Sequence, residues 1–158
     1  MTARVPVVLA PMAGVTNAAF RQLCAEQGAG LYVCEMITSR GLVYGDHKTK
    51  DMLAFADNEK IRSVQLYGVD PQMMADATRI LCTEYHVDHV DLNFGCPVPK
   101  VTRKGGGGVL PSKRERVRSV GAAVGPAGDE FDVPVSVKTR IGIDDDHVTF
   151  IDSAKAAE

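Results

Sequence analysis

Asp91-Leu92-Asn93-Phe94-Gly95-Cys96-Pro97-Val98-Pro99-Lys100-Val101-Thr102-Arg103-Lys104 begins as a strand, turns at Gly95 and runs into a basic, glycine-rich loop. Side chains along a strand alternate faces, so Asp91 and Asn93 share one face while Val90, Leu92 and Phe94 share the other. Two further segments repeat the scheme. Ser63, Gln65 and Tyr67 oppose Val64 and Leu66, and Ser136, Lys138 and Arg140 oppose Val135 and Val137. In an open sheet covered by helices on both faces, burying Lys138 and Arg140 without partners would be strongly unfavourable. In a parallel barrel, polar side chains near the C-terminal strand ends line the mouth where ligands bind. The pattern therefore predicts an α/β fold, a parallel (β/α)8 TIM barrel.

Working outward, strand and helix alternate five times, which places the first five βα units of such a barrel in this chain. Val7 to Ala10 reads as a strand, followed by a turn at Pro11 to Val15 and a helix capped by Thr16, striped by Phe20, Leu23 and Cys24 and ended by Gly28. Leu31 to Met36 reads as the second strand, with a less regular helical region to about Phe55. Ile61 to Gly68 is the third, and Asp70-Pro71 opens a helix with core positions Met74, Ala77, Thr78 and Leu81. The fourth strand, Val87 to Phe94, leads through the basic loop to a helix from near Ser112 carrying Val117, Val120 and Val124. The fifth, Val133 to Arg140, precedes a helix capped at Asp146 with Phe150, Ile151 and Ala154 on its apolar side.

The chain has 158 residues, 45% hydrophobic and 24% charged, enough apolar material for a real core. A net charge of -2 gives no global attraction to nucleic acid, so any such contact requires a local patch. One is present: Lys100, Arg103, Lys104, Lys113, Arg114, Arg116 and Arg118 meet a single acid, Glu115. Cys24, Cys34, Cys82 and Cys96 show neither C-x-x-C nor zinc-like spacing, which favours a reducing, cytoplasmic setting and argues against a structural metal. His86 and His89 read as ordinary surface or strand-entry residues. The run from Arg4 to Ala10 faintly imitates a signal peptide, but Pro6 and Pro11 interrupt it and it is short for an apolar core. No stretch approaches membrane-spanning length.

Cys96 lies where a strand has ended and Pro97 restricts the backbone. A small apolar filler at a turn is one reading of it. The other is a reactive thiol, mostly protonated at neutral pH and able to act as a general acid, or equally as a nucleophile. Nothing nearby in sequence supplies the base or oxyanion donors of a thiol protease. Lys138 as a fixed cation, Gln65 as donor and acceptor, and the small, backbone-rich Pro11-Met12-Ala13 together suit a planar, polar, reducible ring such as a flavin.

Ala10 to Thr16, Phe20-Arg21, Cys34-Glu35-Met36, Gln65 to Gly68, Asp91 to Pro97, Arg103 to Gly106 and Val137 to Arg140 resemble the tRNA-dihydrouridine synthase family, in order and through nearly the whole chain. The resemblance implies an FMN-dependent barrel oxidoreductase that reduces the 5,6 double bond of specific uridines in tRNA with NADPH. It implies that Pro11, Met12, Ala13, Gln65 and Lys138 hold the flavin. Cys96 would deliver a proton to C5 of uracil while the flavin gives hydride to C6. Asn93, Lys100, Arg103, Lys104 and Arg140 would lie near the base and its phosphates. The chain departs from the family where Gly107-Gly108-Val109-Leu110-Pro111 replaces a small-residue run. A family member would also continue beyond Glu158 with three more barrel strands and a C-terminal helical tRNA-binding domain, so residues 1–158 read as the N-terminal portion of one catalytic domain. The isolated portion is expected to lack activity.

Two rival readings stand beside the resemblance, the second from another class. One is an FMN barrel acting on a free pyrimidine, like dihydroorotate dehydrogenase. The basic loop beside Cys96 favours a polyanion instead, because phosphate neutralisation dominates nucleic-acid affinity. The other is a non-catalytic RNA-binding fragment, which would bind RNA without flavin.

Overall fold

The computed structural model describes residues 6–158. Arg4 and Val5 of the N-terminal run lie outside the described residues. All paired strands run parallel. β1 (Val8–Leu9) pairs with β2 (Leu31–Tyr32), and β3 (Ile37–Thr38), β4 (Ser63–Tyr67), β5 (His89–Asn93) and β6 (Val135–Lys138) form a second sheet in that order. A bridge between Val33 and Ser63, with Cys34 N–H donating to the Ser63 carbonyl at 3.1 Å, joins the two. Where the sequence reads one strand over Leu31 to Met36, the structure has β2 over only Leu31–Tyr32, and β3 starts at Ile37, just past that span. The chain bends between them, and Glu35 there turns its carboxylate to accept from Gly14 N–H at 2.6 Å.

The connections are α1 (Ala18–Gln27), α2 (Ser39–Val43) with α3 (His47–Asp51), α4 (Pro71–Glu84), α5 (Pro99–Thr102) leading to a 3-10 turn over Gly107–Ser112, then α6 (Arg114–Asp129) and α7 (Phe150–Ala157). α4 begins as its sequence dictates: Asp70 accepts from Met73 N–H at 3.0 Å and Pro71 occupies the first turn, where no N–H is needed. One face of β4 and β5 supplies Val64, Leu66, Val90 and Leu92. Met74, Ala77 and Leu81 of α4 and Val117, Val120 and Val124 of α6 cover it, and all ten are at most 1% exposed. At about 1.5–3 kcal/mol for each fully buried large aliphatic side chain, this layer is the main source of cohesion. It leaves the opposite sheet face, with its polar side chains, for the site. Lys138 and Arg140 are both exposed, so neither carries an uncompensated burial cost.

Three local expectations are corrected. Asn17, not Thr16, caps α1, accepting from Phe20 N–H at 3.0 Å. Thr16 is buried, and its hydroxyl bonds both the N–H and the carbonyl of Met12 instead. The buried side of α1 carries Arg21, held by Glu59, while Phe20 and Leu23 are exposed. α7 starts at Phe150 with no side-chain cap. Asp146 lies in a preceding turn closed by a bridge between Gly142 and Val148, and Phe150 and Ile151 are exposed while Ser153 and Ala156 are buried. Among the described residues no helix is long and apolar enough to cross a membrane.

Candidate active site

Register brings the polar faces together. Gln65 lies opposite Asp91, Asp91 opposite Ser136, and Asn93 opposite Lys138. Gln65 Nε2 donates to Asp91 Oδ2 at 2.6 Å, Ser136 Oγ donates to Asp91 Oδ1 at 2.8 Å, and Asn93 Nδ2 donates to Gln65 Oε1 at 2.8 Å. His89, read from sequence as a surface or strand-entry residue, opens β5 and is buried, with Nδ1 2.8 Å from Ser63 Oγ and Nε2 3.0 Å from Ser136 Oγ. The signal for it was available: position 89 shares the face of 91 and 93. His86 is exposed, as expected. Burial lowers the His89 pKa below its ordinary value, against the pull of Asp91, and so favours the neutral imidazole. Burial raises the Asp91 pKa, opposed by hydrogen bonds from Ser136 and Gln65 and by the charges of His89 and Lys138.

Beyond β5, Asn93 Oδ1 accepts from Gly95 N–H at 3.0 Å and Cys96 N–H at 2.9 Å, which fixes the turn that carries the thiol. The glycine-rich run closes over the other side. Gly108 N–H donates to the Cys96 carbonyl at 2.8 Å, and at Gly107, where φ is +56°, a Cβ would run into that same carbonyl oxygen. Gly107 and Gly108 thus pack against and hold the turn that carries Cys96, a structural role that the motif reading left unassigned. Their sequence signal was the four-glycine run itself.

A pocket of about 280 Å³ opens at these strand ends, lined by Pro11, Ala13, Met36, Gln65, Asn93, Gly95, Cys96, Pro97, Val98 and Lys138. Of the residues singled out from sequence, Pro11, Ala13, Gln65, Asn93, Cys96 and Lys138 meet here. The Met12 side chain is exposed and outside the lining, and its backbone shapes the loop by accepting from the N–H groups of Val15 and Thr16 at 3.0 Å each. Lys138 forms no ion pair among the described residues and leaves a free cation on the pocket wall. Lys100 and Lys104 line a neighbouring cavity of about 300 Å³ with Arg40, Tyr44 and Tyr67. Arg140 borders a third, with Pro97 and Ile143, and Arg103 is exposed on the surface. The rest of the basic run is partly neutralised, Arg114 by Asp152 and Arg118 by Glu115. Among the described residues, no cluster of His, Cys, Asp or Glu is placed to hold a metal ion, and all four cysteines are free.

A parallel α/β sheet with helices on one face and a thiol, a lysine and two amides at its strand ends is consistent with part of an α/β barrel bearing its site at the usual end. The dihydrouridine synthase family model matches residues 8–158, and the chain belongs to that family. A Mycobacterium tuberculosis relative named "Probable tRNA-dihydrouridine synthase" is 52% identical over 97% of this chain and 41% of its own length. A tRNA-dihydrouridine synthase B of Pseudomonas syringae is 43% identical over 96% of this chain and 44% of its own. The chain thus spans less than half the length of these curated relatives.

Proposed function

We propose that this chain is the N-terminal, thiol-bearing part of a cytoplasmic tRNA-dihydrouridine synthase, a flavoprotein oxidoreductase that uses FMN and NADPH to reduce specific uridines of tRNA. The carrying observation is the pocket in which Cys96, Lys138 and Gln65 face a wall made by Pro11 and Ala13. On this reading residues 1–158 contribute the first five βα units of a (β/α)8 barrel, and a C-terminal helical domain of the intact enzyme binds tRNA.

The pocket residues fit a flavin. Pro11 and Ala13 offer a low, backbone-rich wall to a flat ring. Gln65 keeps one amide N–H beyond the one spent on Asp91, and the unpaired Lys138 ammonium can stabilise negative charge on a ring carbonyl. FMN, when bound, supplies the hydride that reaches C6 of the uracil, with NADPH as its source. Cys96 Sγ–H donates the proton to C5, and solvent restores that proton after the product leaves. Hydride plus proton saturate the 5,6 bond, and NADPH becomes NADP+. Met12 acts through its backbone in shaping the flavin wall. Asn93 lies at the base, and Lys100, Arg103, Lys104 and Arg140 surround the opening as phosphate contacts.

The test is turnover by the full-length FMN-loaded enzyme with NADPH on unmodified tRNA, free uracil and dihydroorotate. Dihydrouridine formed in tRNA, with no turnover of the free pyrimidines, is the expected result. Turnover of dihydroorotate alone would overturn the reading in favour of a free-pyrimidine enzyme. Salt-sensitive RNA binding with neither flavin nor turnover would leave only an RNA-binding module.

A further inference from the structure

The polar chain beneath the pocket has a direction that can be deduced atom by atom. At its upper end the N–H groups of Gly95 and Cys96 can only donate, so the Asn93 atom they meet is the oxygen. Asn93 Nδ2 therefore points the other way and donates to Gln65, which must present its own oxygen there and its nitrogen to Asp91. From the lower end, Ser136 spends its proton on Asp91, so its oxygen accepts from His89 Nε2–H, and His89 Nδ1 accepts from Ser63. Two chains of opposite origin thus end on one carboxylate, which is 5% exposed. No buried side-chain polar atom among the described residues is left without a partner. Reversing either amide would set two donors or two acceptors face to face, at the cost of a buried unmade hydrogen bond.

We propose that Asp91 is a positioning residue: the acceptor that sets the direction of the hydrogen bonds through Gln65 and Asn93 and so holds the backbone of Cys96 at the pocket wall. Its contribution to catalysis rests on the reading of Cys96 as proton donor, whereas the directional role does not. The same argument makes the Asn93 amide an internal strut. Both of its N–H groups are engaged, by Gln65 Oε1 and by Met36 Sδ at 3.4 Å, and its oxygen takes two backbone donors.

Direction can be tested by reversing it. Asn93→Asp keeps an acceptor for the Cys96 turn but cannot donate to Gln65, so in either orientation Gln65 sets its oxygen against a carboxylate. In Asp91→Asn/Asn93→Asp, Gln65 can flip, donating to the new carboxylate and accepting from the new amide, and every bond of the chain from Cys96 to Ser136 is remade, only the contact of position 93 with Met36 Sδ being lost. Hydrogen exchange at the Gly95 and Cys96 amides in the full-length protein reads this out. Asn93→Asp should accelerate exchange about tenfold or more, and the double variant should return it to within about threefold of Asp91→Asn. Additive effects of the two changes, without recovery, would overturn the proposal. A second variant, Asp91→Leu, should lower kcat for uridine reduction while leaving KM for tRNA within about twofold, and equal losses in both would also count against it. Recovery of exchange in an enzyme that does not reduce tRNA would sustain the directional role and refute only the assigned reaction.

Discussion

Arg21 and Glu59, far apart in sequence, meet with Nε 2.7 Å from Oε2, and both side chains are almost wholly shielded from water. The guanidinium also donates to the carbonyls of Thr16 and Ala54 at 2.7 Å each, and Glu59 accepts from Ala56 N–H at 2.7 Å. This cluster ties α1 and the segment around residues 54–59 to the end of the Pro11–Thr16 loop, so a buried charge pair outside the pocket fixes the proposed flavin wall. Removing one partner strands the other charge. Arg21→Met or Glu59→Gln should lower the stability of the full-length protein by about 3–5 kcal/mol, while a well-packed apolar pair should restore most of it. Denaturant midpoints for the two single variants and the pair check this, and single variants as stable as the wild type would remove the clamp.

Cys96 is half-buried in the pocket wall, its backbone held on one side by Asn93 and on the other by Gly108. In the complete enzyme Cys96→Ala should leave reduction of the flavin by NADPH intact. Uridine reduction should slow by roughly 100-fold or more, the scale of a lost general acid. Separate half-reaction kinetics measure both, and normal turnover of tRNA by this variant would exclude Cys96 as the donor.

For Lys138 the relevant quantity is a potential. It projects from β6 beside Asn93 and has no carboxylate partner among the described residues, so its charge is available to whatever ring lies in the pocket. Lys138→Met should lower the reduction potential of the bound flavin, because the reduced form carries more negative charge than the oxidised one. Spectroelectrochemical titration gives the value directly. A potential indistinguishable from wild type would take Lys138 out of the site.

The period-two alternation in β4, β5 and β6 made the pocket face legible, because a polar residue at every second position of a strand has no place against helices. It equally marked Val64, Leu66, Val90 and Leu92 as core. The Asp70-Pro71 helix start was legible because its cap is local chemistry. The directional hydrogen bonding was not, since it depends on the register between strands, which one chain's periodicity leaves free. The sequence reads Thr16 as the cap of α1, and Asn17 takes that place in the structure. The choice was made by Met12, whose N–H and carbonyl claim the threonine hydroxyl. The burial of Arg21 was not legible because its partner lies far along the chain, at Glu59.

Cys34 gives the fold a pH signature of its own. Burial behind the β2–β3 bend pushes its pKa from 9.0 up to about 11. The folded protein therefore keeps this proton at pH values where the unfolded chain has lost it. The stability involved is fully present below pH 9 and is lost as pH rises through about 11, roughly 2 to 3 kcal/mol over the interval. Unfolding midpoints at pH 8 and pH 10.5 should show this decline, and Cys34→Ala should flatten it. An unchanged slope in that variant would assign the alkaline loss to other groups.

The last expectation concerns the 158-residue chain expressed by itself. Among the described residues β1 pairs only with β2 and β6 only with β5, and apolar side chains are exposed on both flanks. Val7, Val8 and Leu23 are 55%, 54% and 61% exposed on the first, and Ile141, Val148 and Ile151 are 73%, 55% and 55% exposed on the second. Unpaired parallel edges flanked by apolar surface invite pairing with another copy. The pocket wall on β6 is open as well, since Lys138 lies on an edge strand and is itself exposed. This chain alone should therefore self-associate at micromolar concentration and bind FMN weakly or not at all, with no reduction of tRNA. Light scattering and flavin absorbance after gel filtration decide the matter. A soluble monomer carrying stoichiometric flavin would mean that the chain closes its own strand edges in solution.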